Sequence, residues 1–393
     1  MKNICIVAGA RPNFVKVAPL IRAIEKAEGT EYELVYTGCE NDPTLEPSLF
    51  DDLQMPRPSV FFGVDSISLN EITSRVMAHF DDYLDHNPAD VVVVVDDLAS
   101  TMAAAIVTKK RGIKLAHLVA GTRSFDMNMP KEVNRLVIDA LSDYLFTAGI
   151  KSNSVASREQ AEGSNTYMVG NILMDTLRFN HQRLQKPALD IEPDNYLVFT
   201  LNRKALLADE EKLTMMIEAM AEAAAETPII APLRGKAFEI VNRIITSKAA
   251  ANSCVPSVAS DQRSSASLFT LHSSLFTLHS SLFTLHSSLF TLHSSLPYLE
   301  FGWLTANAKG IITDSGNVAE EATFNGVPCI TLNSYTEHQE TVSIGSNVLV
   351  GEDPQRLREE VARMVSGQWK RCALPDRWDG RTAERIVKIL LER

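Results

Sequence analysis

The chain has 393 residues, 45% of them hydrophobic and 22% charged, with a formal net charge of −11. These are globular proportions with room for two cores, and the acidic balance argues against a nucleic-acid scaffold, so local basic residues must supply any phosphate binding. Five scattered cysteines (Cys5, Cys39, Cys254, Cys329, Cys372) show no metal-ligand spacing and read as reduced thiols in a cytoplasmic protein; no apolar run reaches membrane-spanning length.

The opening residues are too short for a signal segment and read as a first strand over 4–7. Further buried strands are predicted over 34–37, 91–95 and 114–119, with amphipathic helices over 15–26 and 69–84 between them. The alternation restarts with strands over 196–201, 228–232, 310–313 and 328–332. This is the βα pattern of parallel sheets. The expected fold class is α/β: two Rossmann-like, doubly wound domains facing a cleft. The first should span 1–175 and the second 186–370, with a junction near 169–185 and a final helix (380–393) returning to the first domain. No G-x-G-x-x-G follows the first strand, which disfavours a dinucleotide enzyme.

Residues 269–296 are four identical copies of Phe-Thr-Leu-His-Ser-Ser-Leu, in a low-complexity insertion over 264–296. Their histidines (His272, His279, His286, His293) invite a metal reading. Identity of every copy argues against it, because a metal site sees different neighbours at each turn. The genetic code offers another account. The heptanucleotide TTCACTC, repeated three times, encodes one heptapeptide, so gain or loss of one DNA unit shifts the reading frame. The hypothesis is a slippage-prone switch in the gene, which varied codons across the copies would refute. The last copy is expected to supply a strand over 289–292.

Three segments carry chemistry. Gly9-Ala-Arg-Pro-Asn-Phe-Val-Lys16 turns into a helix with two cations at its mouth; Arg11 offers a fork for a pyrophosphate and Lys16 a point charge. The valine run over 91–95 ends in Asp96 and Asp97, at the strand edge where open α/β sheets bind ligands. Thr313-Asp-Ser-Gly-Asn-Val-Ala-Glu-Glu321 runs from a strand into a helix, where free backbone N–H groups make an anion site and a following carboxylate can accept from ribose hydroxyls. An ordinary serine-capped turn has the same signature.

Taken in order, these segments resemble the non-hydrolysing UDP-N-acetylglucosamine 2-epimerases. The family's Gly-Thr-Arg-Pro-Glu…Lys is similar to Gly9–Lys16, its Gly-Asp to Asp96-Asp97, and its His-Val-Glu-Ala-Gly to His117–Gly121. Pro-Glu-Glu-x-Asn-Arg matches Pro130–Arg135, and Gly-Asn-x-x-x-Asp matches Gly170 to Asp175. Later motifs match Leu296–Phe301, Thr313–Glu321 and Thr336–Glu340. The resemblance implies a GT-B arrangement of the two domains, a UDP-sugar in the cleft, a homodimer, and no cofactor or metal. It also implies interconversion of UDP-N-acetylglucosamine and UDP-N-acetylmannosamine, by UDP elimination to 2-acetamidoglucal and re-addition, for surface polysaccharide.

The resemblance places Arg11, Lys16, Arg135, Arg203, Ser315, Gly316, Glu321 and His338 on the UDP-sugar, and Asp97, Glu132, Lys131 and Arg234 at the chemistry. Several family acid–base positions are altered. A glutamate is Val119, another is Lys131, one histidine is Asn202 and a second is Arg234, while an arginine is His338. Valine transfers no proton and arginine does not under ordinary conditions. Two alternatives therefore stand beside the epimerase: a non-catalytic UDP-sugar-binding paralogue, and a GT-B glycosyltransferase using the same cradle.

Overall fold

The computed structural model describes residues 1–253 and 289–392. The first sheet comprises β1 (Lys2–Ala8), β2 (Thr30–Tyr36), β3 (Val60–Phe61), β4 (Val91–Val95), β5 (Lys114–Ala120), β6 (Tyr144–Thr147) and β7 (Asn165–Met168). Its order is β3-β2-β1-β4-β5-β6-β7, with every pairing parallel. The five valines of β4 are all buried, as a central strand covered on both faces requires. Val91, Val93 and Val95 join one core cluster, while Val92 and Val94 join the cluster on the opposite face. Strand order reverses between β1 and β4, which opens a crevice beyond their C-terminal ends.

The second sheet repeats the design with β8 (Leu197–Phe199), β9 (Ile229–Pro232), β10 (Phe290–His293), β11 (Gly310–Thr313), β12 (Cys329–Thr331) and β13 (Asn347–Leu349). Its order is β10-β9-β8-β11-β12-β13, so its switch point lies between β8 and β11. Edge strand β10 is made by the last heptapeptide copy, one residue later than expected, and pairs in parallel with β9. The earlier copies, with His272, His279 and His286, lie outside the described residues, as does most of the insertion over 264–296.

The chain leaves the first lobe through the helix Ile172–Asn180 and comes back in the C-terminal helix Thr382–Glu392. The return is anchored at both ends. Asp175 accepts hydrogen bonds from the Thr382 and Ala383 amides at 3.1 and 2.8 Å, capping the helix. Ile386, Val387 and Leu390 complete the core cluster of Ile4, Ile6 and Leu20. Gly170 lies at φ +105°, and a Cβ there would fall 2.1 Å from the Arg377 carbonyl oxygen, so only glycine permits this crossing. Leu390→Ala is therefore expected to cost about 2–5 kcal/mol in urea unfolding, the usual range for an emptied leucine site. A loss below about 1 kcal/mol would mean that the helix is not part of this core.

Candidate active site

The two switch points face each other across the lobes. On the first lobe, Asn13 accepts from the Gly9 and Ala10 amides at 2.9 and 3.1 Å and donates to Asp96 Oδ2 at 2.8 Å. Lys16 is buried, and its Nζ lies 2.5 Å from Asp96 Oδ1. Burial alone would press the Lys16 ammonium down, but Asp96 and Glu320 hold it above its ordinary value. Beneath this pair, His117 Nε2 faces the Asp96 carbonyl at 2.9 Å and its Nδ1 faces Asp139 Oδ1 at 2.5 Å. Asp139 also accepts from the Gly121 amide at 3.0 Å and pairs with Arg123 at 2.7 Å. Lys16 thus organises the crevice floor through Asp96.

Asp97 lies beside this floor and is joined to the opposite lobe. Arg135, 4% exposed, donates to Asp97 Oδ2 through Nε and Nη2 at 2.8 and 2.5 Å. The same guanidinium makes a bidentate pair with Glu337 at 2.7 and 2.6 Å, 202 residues away. Lys131, exposed, comes within 3.5 Å of Asp97 Oδ1. Burial would raise the Asp97 carboxyl, yet Lys131 and Arg135 hold it below the ordinary range, so it stays an ionised acceptor. Glu132 is held from its own lobe by contrast. It accepts from the Ser124 amide and hydroxyl, the Phe125 amide and Arg135 at 2.8–3.1 Å, fastening the loop ahead of its helix.

On the second lobe, two contacts lock the switch-point loops together. The Thr200 and Thr313 hydroxyls lie 2.7 Å apart, and the Asn202 amide donates to Asp314 at 2.8 Å. Ser315 caps the helix Gly316–Asn325, so its first amides point toward the crevice. His338 packs directly on Gly316, where a Cβ would meet the imidazole at 2.6 Å. Glu320 is buried and accepts from Asn171 Nδ2 at 2.7 Å, with His338 Nδ1 also at 2.7 Å. Glu321 is buried too, with no hydrogen bond from any described group, and burial followed by the Glu320 charge pushes its carboxyl up to about 8. The adjoining Tyr298 hydroxyl is likewise buried without a partner.

Two cavities result. One of about 350 Å³ is lined by Arg11, Asn202, Arg234, Tyr298, Asp314 and Ser315, among others. It pairs two arginines with the capped helix start, which suits an anion. Glu46 lies between those arginines, 3.4 Å from Arg11 and 3.8 Å from Arg234. Burial and the Arg11 charge press the Arg234 guanidinium down. The second cavity, about 270 Å³, is bordered by Val119, Arg123, Glu320, Glu337 and His338. Val119 has φ +75°, a left-handed conformation that β-branched residues avoid.

Of the residues singled out in the sequence, Arg11, Arg234 and Ser315 meet at the first cavity. Gly316 joins it to His338 and the second. Asp97, Lys131, Glu132 and Arg135 form one connected group, and Lys16 is tied to Asp96 behind it. Arg203 lies outside these linings, donating to Asn333 at 2.7 Å and pairing with Glu352 at 3.3 Å. Glu321 sits behind Tyr298, a wall residue of the first cavity. Sequence reasoning passed over Glu46, Glu320, Glu337, Asp139 and Arg123. Only Glu320 and Glu337 had a signal, as neighbours of Glu321 and His338. Among the described residues no three His, Cys, Asp or Glu side chains are grouped to hold a metal, and no helix is long and apolar enough to cross a membrane.

Comparison with known proteins places this geometry. Residues 22–391 match the family model described as UDP-N-acetylglucosamine 2-epimerase. The chain is 31% identical to the UDP-N-acetylglucosamine 2-epimerase of Methanocaldococcus jannaschii, over 99% of this chain and 98% of that protein. It is 28% identical to the UDP-2,3-diacetamido-2,3-dideoxy-D-glucuronate 2-epimerase of Pseudomonas aeruginosa, over 89% and 88% of the two chains. The crystal structure of the M. jannaschii enzyme in complex with UDP-GlcNAc and UDP superposes with a TM-score of 0.77 at 29% identity, covering 100% of both chains. Two parallel, helix-covered sheets in this GT-B-like arrangement, and a match along nearly the whole length, assign the chain to the UDP-N-acetylglucosamine 2-epimerase family.

Proposed function

We propose that the protein interconverts UDP-N-acetylglucosamine and UDP-N-acetylmannosamine by eliminating UDP across C1–C2 and adding it back to 2-acetamidoglucal. The observation that carries this reading is the cavity where Arg11 and Arg234 oppose the Ser315-capped helix start, with Asp97 tied through Arg135 to Glu337, the neighbour of His338. The diphosphate would sit between the arginines and the helix amides, displacing Glu46 from the arginines. Ribose hydroxyls would donate to Glu321, the only buried carboxyl there without a partner among the described residues. Asp97, ionised and oriented by Arg135, is the group we assign to removal of the C2 proton.

The reaction is expected to be slow. Val119 brings no proton to the second cavity, Glu132 is already engaged by Ser124, Phe125 and Arg135, and each general acid–base group typically contributes ~10²–10⁴ in rate. Val119 is also what favours a second reading, a UDP-sugar-binding paralogue without turnover. We further place the protein in the cytoplasm as a homodimer that feeds surface polysaccharide synthesis, an assembly state that light scattering would check. Incubation with UDP-N-acetylglucosamine in D₂O, followed by NMR, separates the readings. Deuterium at C2 together with the manno isomer is expected. Binding with no exchange would leave the paralogue.

Arg11→Ala should weaken UDP binding about 10–100-fold in calorimetric titration, the range for a lost charge-assisted hydrogen bond, without lowering the melting temperature. An unchanged Kd would remove the diphosphate from that cavity. Glu321 generates a pH prediction. In the free native protein its carboxyl keeps a proton to about 8, whereas the unfolded chain releases it near 4.5. The native state therefore binds more protons in that window, and its stability falls as pH rises from 4.5 to 8. Glu321→Gln should flatten this slope in denaturation measured across pH. UDP should also release protons at neutral pH, visible as a dependence of binding heat on buffer ionisation enthalpy. Heats that do not vary with buffer would contradict the ribose assignment.

A further inference from the structure

The Glu320–His338 pair has a free end. Glu320 holds His338 Nδ1 at 2.7 Å and is itself fixed by Asn171. That leaves Nε2 without a hydrogen bond to any described group, beside Gly316, where an added Cβ would lie 2.8 Å from it. The nitrogen therefore faces the corner at which the helix Gly316–Asn325 begins. On the other side, His338 borders the cavity that holds Val119. The ring thus stands between the proposed diphosphate position and the cavity left without a proton-transfer group at Val119.

We infer that His338, oriented by Glu320, is the acid that hands a proton to the departing diphosphate. The inference rests on the epimerase reading. In the elimination, Asp97 takes the C2 proton, the C–H electron pair becomes the C1=C2 bond, and the C1–O bond breaks with its pair on the β-phosphate oxygen. His338 gives its Nε2 proton to that oxygen and becomes a neutral imidazole. Re-addition reverses only the phosphate-side transfer, the imidazole recovering the proton as the oxygen attacks C1; for the manno isomer Asp97 gives its proton up to water, and C2 takes a proton from water on its other face.

The charges around the ring suit this role. Glu320 on the helix Gly316–Asn325, Glu337 beside the histidine and Lys16 from the first lobe act on it directly. Arg123, Lys151 and Glu340 line the cavity it borders. Burial would press the imidazole down and Lys16 adds to that, but Glu320 and Glu337 hold it above its ordinary value. The proton-loaded form therefore persists toward neutral pH. Its activity is complete at low pH and is lost as pH rises through the raised value.

The test is kcat/KM for UDP release from UDP-N-acetylglucosamine across pH 5.5–9.5, with melting temperatures and ligand affinities for each variant. This sugar nucleotide has no phosphate group that titrates in that range. Wild type should show an alkaline limb. His338→Gln should abolish the limb and lower kcat/KM by ~10²–10⁴. His338→Arg, a fixed cation, should keep the affinity yet leave turnover low and without the limb. Glu320→Gln should move the limb to lower pH. Ionisation of Glu321 affects wild type and His338 variants alike, so their difference isolates the histidine. An alkaline limb that persists in His338→Gln and His338→Arg, with turnover within about threefold of wild type, would overturn the inference while leaving epimerisation intact. A wild type that binds the sugar nucleotide but releases no UDP at any pH would instead remove the epimerase reading, and this step with it.

Discussion

Arg135 is the group on which the site depends. One buried guanidinium holds Asp97 and Glu132 from its own lobe and Glu337 from the other. Taking a charge this far from water costs several kcal/mol unless its hydrogen bonds are made, and here three carboxylates make them. Removal of any one partner would leave guanidinium hydrogen bonds unmade in a largely buried interface. The bridge therefore does more than hold the lobes together. It fixes Asp97 at the crevice and, through Glu337, the segment that carries His338. Lys16 plays the matching part behind Asp96, with Glu320 close enough to feel its charge.

The backbone beside the second cavity keeps an unusual shape at an apolar residue. Val119 sits at φ +75°, at an irregularity in the pairing of β5 with β6. A left-handed conformation costs an L-residue roughly 1–2 kcal/mol, and a branched Cβ suits it poorly. The strain persists because the neighbours dictate it: His117 and the Gly121 amide are both fixed to Asp139. The site thus retains a framework that aims residue 119 into the cavity, while that residue offers no proton. His338, in the wall of the same cavity, is the neighbouring group that can carry a proton.

Much of the architecture was legible in the sequence because it is local. The five-valine run and the Gly-Ile-Ile-Thr run became β4 and β11 with the expected bounds. Strands β3, β6, β7 and β13 have only two to four residues and no run of buried apolar positions long enough to stand out. The site was less legible. Nothing local to Lys16 reveals its pairing with Asp96, 80 residues on. The Arg135–Glu337 bridge spans 202 residues, and Glu46 meets Arg234 only once both lobes are in place. Charge pairing over such separations is a property of the fold, and motif spacing carries no trace of it. The helix start at Ser315 is legible by contrast, since it advertises itself by its cap.

A crystal structure of the protein with UDP-N-acetylglucosamine would test the arrangement most directly. The diphosphate is expected between Arg11, Arg234 and the Ser315–Gly316 helix start, with His338 Nε2 within hydrogen-bond distance of a β-phosphate oxygen and the Arg135–Glu337 bridge intact. A nucleotide bound elsewhere, or one in the cleft with that bridge broken and Asp97 turned away from the sugar, would contradict it.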